Sequence, residues 1–278
     1  MEIKQIRMGI VGAGTWGRTH ASIYAEHLFA DPVAICDMNE ARAREIADEF
    51  GIRKVYTDYH DMAADEEIDA VAIVTPDFAH ADIACAMADA KKDILIEKPL
   101  ATTKEDIARI CEAVERNGVR CMVDLHNRWN PPFNTAKQEI SSGKLGKPYT
   151  AYIRHSDVKW VATDMLSWAS KSSILWFLGS HSLDSLRWLV SSEAKRVYSV
   201  KKEGILKGLG VDVPDILVSN MVFDRCKGLS YESIRDFVDR LVDGKEFRVT
   251  LEDSRRTALA IIAILESAET GMPVEVEY

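Results

Sequence analysis

The sequence predicts an α/β chain: a domain built on a doubly wound parallel sheet, then an α+β domain with a mainly antiparallel, open and shortened sheet. Three observations carry this. Short continuous apolar runs alternate with helical patterns over the first 124 residues, as for strands buried on both faces and joined by crossover helices. A glycine-rich turn closes the first run. After Leu125 the strand patterns become longer and more alternating, the texture of an antiparallel sheet with one covered face. The boundary is therefore placed to give domains of 1–124 and 125–278.

The elements follow in order. Ile6–Val11 is an apolar run ending at glycines, and a helix is expected over residues 16–26. A second strand at 33–36 ends at Asp37. In Glu40–Phe50, Ala43, Ile46, Ala47 and Phe50 share one helical face and Gly51 stops the helix. Strands are expected at 71–74, 94–96 and 119–123, with a helix at 83–90. Thr102 and Glu105 have the spacing of a capping box, ahead of an amphipathic stripe of Ile107, Ile110, Cys111 and Val114. Beyond the Asn130-Pro-Pro132 break, helices are expected at 133–142 and 179–190, and strands at 149–155, 197–202 and Ile216–Phe223. Two more helices close the pattern. One carries Ile234, Phe237, Val238 and Leu241 and ends at Gly244; the other runs over 252–270 and ends at Gly271.

Composition excludes several classes of function. Apolar residues make up 47% and charged residues 28%, enough apolar surface to bury a core. With 35 Lys+Arg against 44 Asp+Glu the formal charge is −9, which repels phosphate backbones, so no nucleic-acid partner is expected. The longest apolar run, residues 258–265, is far short of the ~20 residues a bilayer requires, so no membrane partner is expected. The charged residues 1–7 lead into a strand and offer no signal peptide. The five cysteines (36, 85, 111, 121 and 226) lack metal spacing and read as reduced thiols of a cytoplasmic protein; no metal is expected.

Gly12-Ala-Gly14-Thr-Trp-Gly17 matches G-x-G-x-x-G in the context that gives the pattern meaning: after a strand, opening a helix, at the start of a βαβ unit. Gly12 permits the tight turn, Gly14 the approach of a pyrophosphate, and Gly17 the close packing of helix on strand. The helix start, with Thr15 and Trp16, offers backbone N–H groups to phosphate. Asp37, 20 residues after Gly17, is placed to accept hydrogen bonds from a ribose and to repel a 2′-phosphate, which favours NAD over NADP.

Four stretches together resemble the glucose–fructose oxidoreductase / inositol dehydrogenase (Gfo/Idh/MocA) family: Gly9-Ile-Val-Gly-Ala-Gly-Thr-Trp-Gly17, Val74-Thr-Pro-Asp-Phe-Ala-His80, Glu97-Lys-Pro-Leu100 and Gly179-Ser-His-Ser-Leu-Asp184. The resemblance implies a Rossmann domain, a nicotinamide cofactor, and a sugar, inositol or related polyol as substrate. It also implies that Thr75, Pro76 and His80 lie by the nicotinamide half of the cofactor and Glu97 by its ribose, and that the Lys98–Pro99 bond is cis.

Lys98 follows a parallel strand, so it projects toward the crevice where such sheets bind ligands, and there it can stabilise a forming alkoxide. His181 titrates near neutrality and is the expected proton acceptor, with Asp184 one turn on to orient it or to bind substrate. Lys98 and His181 are thus the expected catalytic pair. Asn127 and Arg128 are expected substrate contacts, Arg128 with a domain-interface salt bridge as its equal alternative; His155 and Trp168 are remoter candidates.

Two features depart from the family. Where many members carry an Asp four residues before the histidine, this chain has Phe177, which forms either an aromatic wall to the substrate site or, with Trp176, part of the core. The chain is also shorter than most members, with sheet strands missing near residues 224–230. The expected activity is NAD-dependent oxidation of a secondary alcohol, or reduction of the ketone, by a homo-oligomer (dimer or tetramer). The alternative is a non-catalytic NAD(H)-binding sensor or scaffold.

Overall fold

The computed structural model describes residues 5–146, 148, 150–223, 240–247 and 249–278. The chain divides into two compact units. Among the described residues the first holds 5–101, 105–124, 240–247 and 249–251, and the second holds 102–104, 125–146, 148, 150–223 and 252–278. This is not the single cut expected after residue 124. The chain returns to the first unit, where Arg120 Nη1 donates to the carbonyls of Arg240 (3.2 Å) and Leu241 (3.4 Å).

In the first unit six strands form one parallel sheet: β1 (Ile6–Val11), β2 (Ala30–Cys36), β3 (Lys54–Tyr56), β4 (Ala70–Ile73), β5 (Asp93–Glu97) and β6 (Cys121–Asp124). Their order is β3-β2-β1-β4-β5-β6, so the chain reverses its direction of growth between β1 and β4. That switch point is where loops part and a ligand crevice opens at the carboxyl ends of the strands. The apolar runs become strands because both faces are covered: Ile10, Ile35, Ile73, Ile94, Leu95 and Ile96 are fully buried. The helices are α1 (Thr15–Glu26), α2 (Glu40–Phe50), α3 (Tyr59–Ala63), α4 (His80–Asp89) and α5 (Lys104–Asn117). Asn39 caps α2 by accepting from the Arg42 N–H (3.3 Å), and Gly51, at φ 70°, ends it. Because α5 starts at Lys104, Thr103 precedes it and Asp106 stands third in it, one residue later than the expected Thr102/Glu105 box. β3 and α3 were not expected; three half-buried residues carry too little apolar signal to mark a strand.

The second unit contains α6 (Pro131–Ser141), α7 (Ser180–Val190) and a three-stranded antiparallel sheet, β7 (Ala194–Lys202), β8 (Ile216–Phe223) and β9 (Val274–Glu275), in the order β8-β7-β9. A long helix, Leu251–Thr270, shares a core with one sheet face, through Ala260, Ile261 and Ile264 with Val197, Met221 and Phe223. The opposite face of the sheet exposes Tyr198, Val200, Ile216, Val218 and Val222. The expected strand at 149–155 does not form: residues 150–155 are irregular, and residue 149 lies outside the described residues. Tyr152 is 88% exposed and among the described residues no strand pairs with this segment, so its alternating pattern is not used to bury a face. Two π-helical turns, Val161–Met165 and Leu175–Gly179, follow it. The shortening expected at 224–230, Cys226, and most of the helix expected around 234–241 lie outside the described residues; residues 240–243 are helical. Among the described residues no helix is long and apolar enough to cross a membrane.

Candidate active site

In the first unit the site is set by the ends of strands. Gly12 follows β1 at φ 112°, and a Cβ there would lie 2.5 Å from the Val74 carbonyl oxygen. At Gly17 a Cβ would meet the Gly12 carbonyl oxygen at 2.0 Å, so α1 packs directly on the turn. Gly14 differs: a Cβ there would meet nothing within 4 Å. The protein itself leaves room at this glycine, beside the open N-terminus of α1, where Thr15 and the half-exposed Trp16 begin the helix. A dinucleotide pyrophosphate fits such a space, with the first N–H groups of the helix and its dipole directed at it.

Asp37 follows β2 with its carboxylate oriented by two backbone donors, Ala13 N–H to Oδ2 (2.7 Å) and Asn39 N–H to Oδ1 (2.8 Å). Each oxygen keeps a lone pair for a ribose hydroxyl. Arg44 is tied to Glu40 and Arg42 is exposed. After β4, the Thr75 hydroxyl oxygen is buried without a hydrogen-bond partner, an orphaned polar atom that a ligand donor or acceptor would satisfy. Pro76 follows it and starts the turn Asp77–Ala79. His80 is buried behind that turn, its Nδ1 2.8 Å from the Pro99 carbonyl oxygen and its Nε2 3.1 Å from that of Thr75. Both ring nitrogens face main chain, so His80 braces two loops rather than reaching toward a ligand. Burial holds its pKa below the ordinary histidine value, against the opposing pull of both carbonyls.

Lys98 follows β5, half-buried, and the Lys98–Pro99 bond is cis. Burial lowers the pKa of its ammonium, while the charges of Glu97, Asp77 and Asp124 oppose the shift. Glu97 Oε2 accepts from the Lys98 N–H (3.2 Å), and Glu97 Oε1 lies 3.3 Å from His20 Nε2. His20, Glu97 and Asp124 are all buried, with polar side-chain atoms within 4.8 Å of one another. The sequence reading missed His20, Tyr24 and Asp124. The available signal was polar residues at i and i+4 on the buried face of α1.

In the second unit side chains, more than strand ends, set the geometry. Arg128, in the turn His126–Trp129, is buried and forks onto Asp184, Nε to Oδ2 at 2.9 Å and Nη2 to Oδ1 at 2.6 Å. Arg187 stands 3.7 Å from the same carboxylate. Of the alternatives for Arg128, the structure shows a salt bridge: Arg128 and Asp184 meet each other through these two hydrogen bonds. Asn127 Nδ2 donates to Ser185 Oγ at 3.3 Å. His181, in the first turn of α7, has its ring 4.5 Å from that of His126 and 6.4 Å from that of His155. His155 Nδ1 is 2.6 Å from Ser182 Oγ, and burial lowers the His155 pKa. Trp176 is buried in the core with Leu175 and Leu183, whereas Phe177, in the π-helical turn, is half-buried and lies outside that cluster. Trp168 is half-buried. Burial pushes the Cys36 thiol up to about 12 and raises Cys121 as well, the behaviour of inert core cysteines.

Comparison with known proteins agrees with this architecture. Residues 6–125 match the model of an oxidoreductase family with an NAD-binding Rossmann fold, and residues 133–232 match the GFO/IDH/MocA C-terminal domain. The chain belongs to the Gfo/Idh/MocA oxidoreductase family, and its first unit is an NAD-binding Rossmann domain. It is 32% identical over 195 residues to inositol 2-dehydrogenase of Salmonella typhimurium, covering 69% of this chain and 56% of that protein. It is 36% identical over 153 residues to the scyllo-inositol 2-dehydrogenase (NAD(+)) of Bacillus subtilis, covering 54% and 45%. The chain thus spans about half the length of the curated relatives it matches. Among solved structures, myo-inositol 2-dehydrogenase from Lactobacillus plantarum superposes with a TM-score of 0.88 at 18% identity, covering 99% of this chain and 100% of that one. Levoglucosan dehydrogenase in complex with NADH and levoglucosan gives 0.84 at 23% identity, covering 99% and 100%. Both share the fold.

Proposed function

We propose that the chain is an NAD-dependent dehydrogenase acting on a secondary alcohol of a cyclic polyol, an inositol or a sugar. One observation carries the reading: a half-buried lysine with a lowered pKa stands at the end of β5, in the same sheet as a glycine turn open for a pyrophosphate. Lys98 hydrogen-bonds the substrate hydroxyl and stabilises the oxygen as it becomes an alkoxide. His181 takes and returns the proton. Bound NAD would supply the acceptor for the hydride that leaves the carbinol carbon. Asp37 disfavours a 2′-phosphate, and Thr75 offers its hydroxyl to the cofactor. The named substrates of the relatives, inositols foremost, support the substrate class.

The test is NADH formation with a panel of inositols and sugars, for the wild type and Lys98→Met. We expect turnover with at least one cyclic polyol, reduced by about 100-fold or more in Lys98→Met while NAD still binds. NAD binding without turnover on any polyol favours the second reading, a sensor or scaffold, for which Phe177 at the usual Asp position is the motivating observation. The exposed apolar sheet face of Tyr198, Val200, Ile216, Val218 and Val222 supports a homo-oligomer formed through it, since such a patch calls for cover. Light scattering that finds only monomer would remove that part.

A further inference from the structure

The first unit holds a buried polar cluster that the proposed chemistry leaves unused. Glu97 and Asp124 end adjacent strands and stand directly opposite each other in the β5–β6 register. Two carboxylates facing each other at 6% and 2% exposure repel strongly unless a donor holds them. That donor comes from α1. His20, fully buried, has Nε2 at 3.3 Å from Glu97 Oε1, and its Nδ1 lies 3.2 Å from the hydroxyl of Tyr24, one turn along the same helix. The network selects one tautomer. The Tyr24 hydroxyl donates to Nδ1, and the Nε2–H donates to the carboxylate. Glu97 then uses its other oxygen to accept the Lys98 N–H. The result is a continuous chain, Tyr24 to His20 to Glu97 to Lys98, that ties the helix opening at the glycine turn to the lysine after β5.

We infer that His20 is a positioning residue for Lys98: it fixes the Glu97 carboxylate, which in turn fixes the Lys98 main chain and faces its ammonium. The inference rests on Lys98 being the group that meets the substrate oxygen. The charged groups facing Lys98 are Glu97 on β5, Asp124 on β6 and Asp77 on the turn after β4. Without the His20 donor, the Glu97 carboxylate opposite Asp124 loses its fixed orientation and supports the ammonium less, so the Lys98 titration moves further down.

Trace acetylation of lysines with acetic anhydride across pH, read by mass spectrometry on the full chain, measures the Lys98 midpoint without turnover. The variants are His20→Leu, His20→Gln and Tyr24→Phe, each also tested for NAD affinity and hydride-transfer rate. In His20→Leu we expect the midpoint to fall by about one pH unit, and the rate to fall about tenfold with NAD affinity held within about twofold. His20→Gln, whose amide reaches the Nε2 position, recovers at least about half of both effects. Tyr24→Phe, which removes one hydroxyl, shifts the midpoint the same way by less and covers the case in which the leucine variant fails to fold. An unmoved or raised midpoint in folded variants overturns the inference. If Lys98→Met leaves turnover intact, the catalytic reading of Lys98 fails instead, and the labelling midpoint still reports whether His20 positions it.

Discussion

In the first unit Gly12, Asp37 and Lys98 each stand one residue beyond the end of β1, β2 and β5. Hydrogen bonds of the parallel sheet fix these positions, and the side chains only complete them. In the second unit Arg128 lies in a short turn, Phe177 in a π-helical turn and His155 in an irregular segment. There the placing is done by side chains: Arg128 on Asp184, Asn127 on Ser185, His155 on Ser182. A backbone-built site tolerates the loss of one side chain. A site held by a buried fork does not, because the remaining buried charge loses its two hydrogen bonds and has no water to replace them.

The largest expected effect breaks that fork. Arg128→Met leaves Asp184 buried at 1% exposure, with Arg187 at 3.7 Å as its remaining cation. The loss should be about 3–5 kcal/mol, seen as a drop of roughly 10 °C in Tm. Arg128→Met combined with Asp184→Leu should recover much of it, since Asp184 no longer remains as a buried charge and the second carboxylate near Arg128, Asp253, is partly exposed. If the single variant melts within about 2 °C of wild type, the pair is solvated and the contrast between the units collapses.

Next comes the aromatic pair. Trp176→Asp inserts a carboxylate into the core and should cost several kcal/mol, on the order of 3 or more. Phe177→Asp, at a half-buried position outside that core, should keep the fold at a cost of about 1 kcal/mol. Thermal melts rank the two, and the polyol panel then shows whether Phe177→Asp alters selectivity. Equal losses would place Phe177 in the core and remove the aromatic wall to the substrate.

The same contrast explains what could be read from the sequence. Runs such as residues 71–74 and 94–96 declare themselves because burial on both faces demands unbroken apolar residues, and the glycine turn because only glycine fits at Gly12 and Gly17. Glu40–Phe50 has both its cap and its stop within the local sequence. Legibility fails where the partner is distant. Asp184 finds Arg128 56 residues away and His20 finds Glu97 77 residues away, distances no local pattern reports. The segment at 150–155 has strand-like alternation, yet a strand needs a neighbour, and among the described residues no strand pairs with it.

Cofactor choice sharpens the comparison from the side of the first unit. Asp37→Ala should narrow the preference for NAD over NADP by about tenfold, as expected of one like-charge contact removed from a partly exposed site. The fold should be unaffected, since the strands around it persist. Titration of both cofactors reads the effect, and tighter binding of NADP than NAD by wild type would reverse the assignment of Asp37.

The smallest effect compares one histidine from each unit, the buried His80 and the half-buried His155. His80 braces the Thr75 and Pro99 carbonyls in the first unit, and His155 meets Ser182 in the second; burial lowers both pKa values below the ordinary 6.5. Between the folded value and 6.5 the unfolded chain binds a proton that the folded chain refuses. Stability therefore rises with pH through that window, is fully present above it, is lost as pH falls toward the folded value, and is flat below. Urea melts from about pH 5 to 8 on His80→Gln and His155→Gln should each show a shallower rise than wild type. His80 is 1% exposed and carries the deeper burial, so its removal should flatten the profile more. If His155→Gln flattens it more than His80→Gln does, the irregular segment of the second unit excludes water better than the strand-end loops of the first, and the ranking of the two units by packing is inverted.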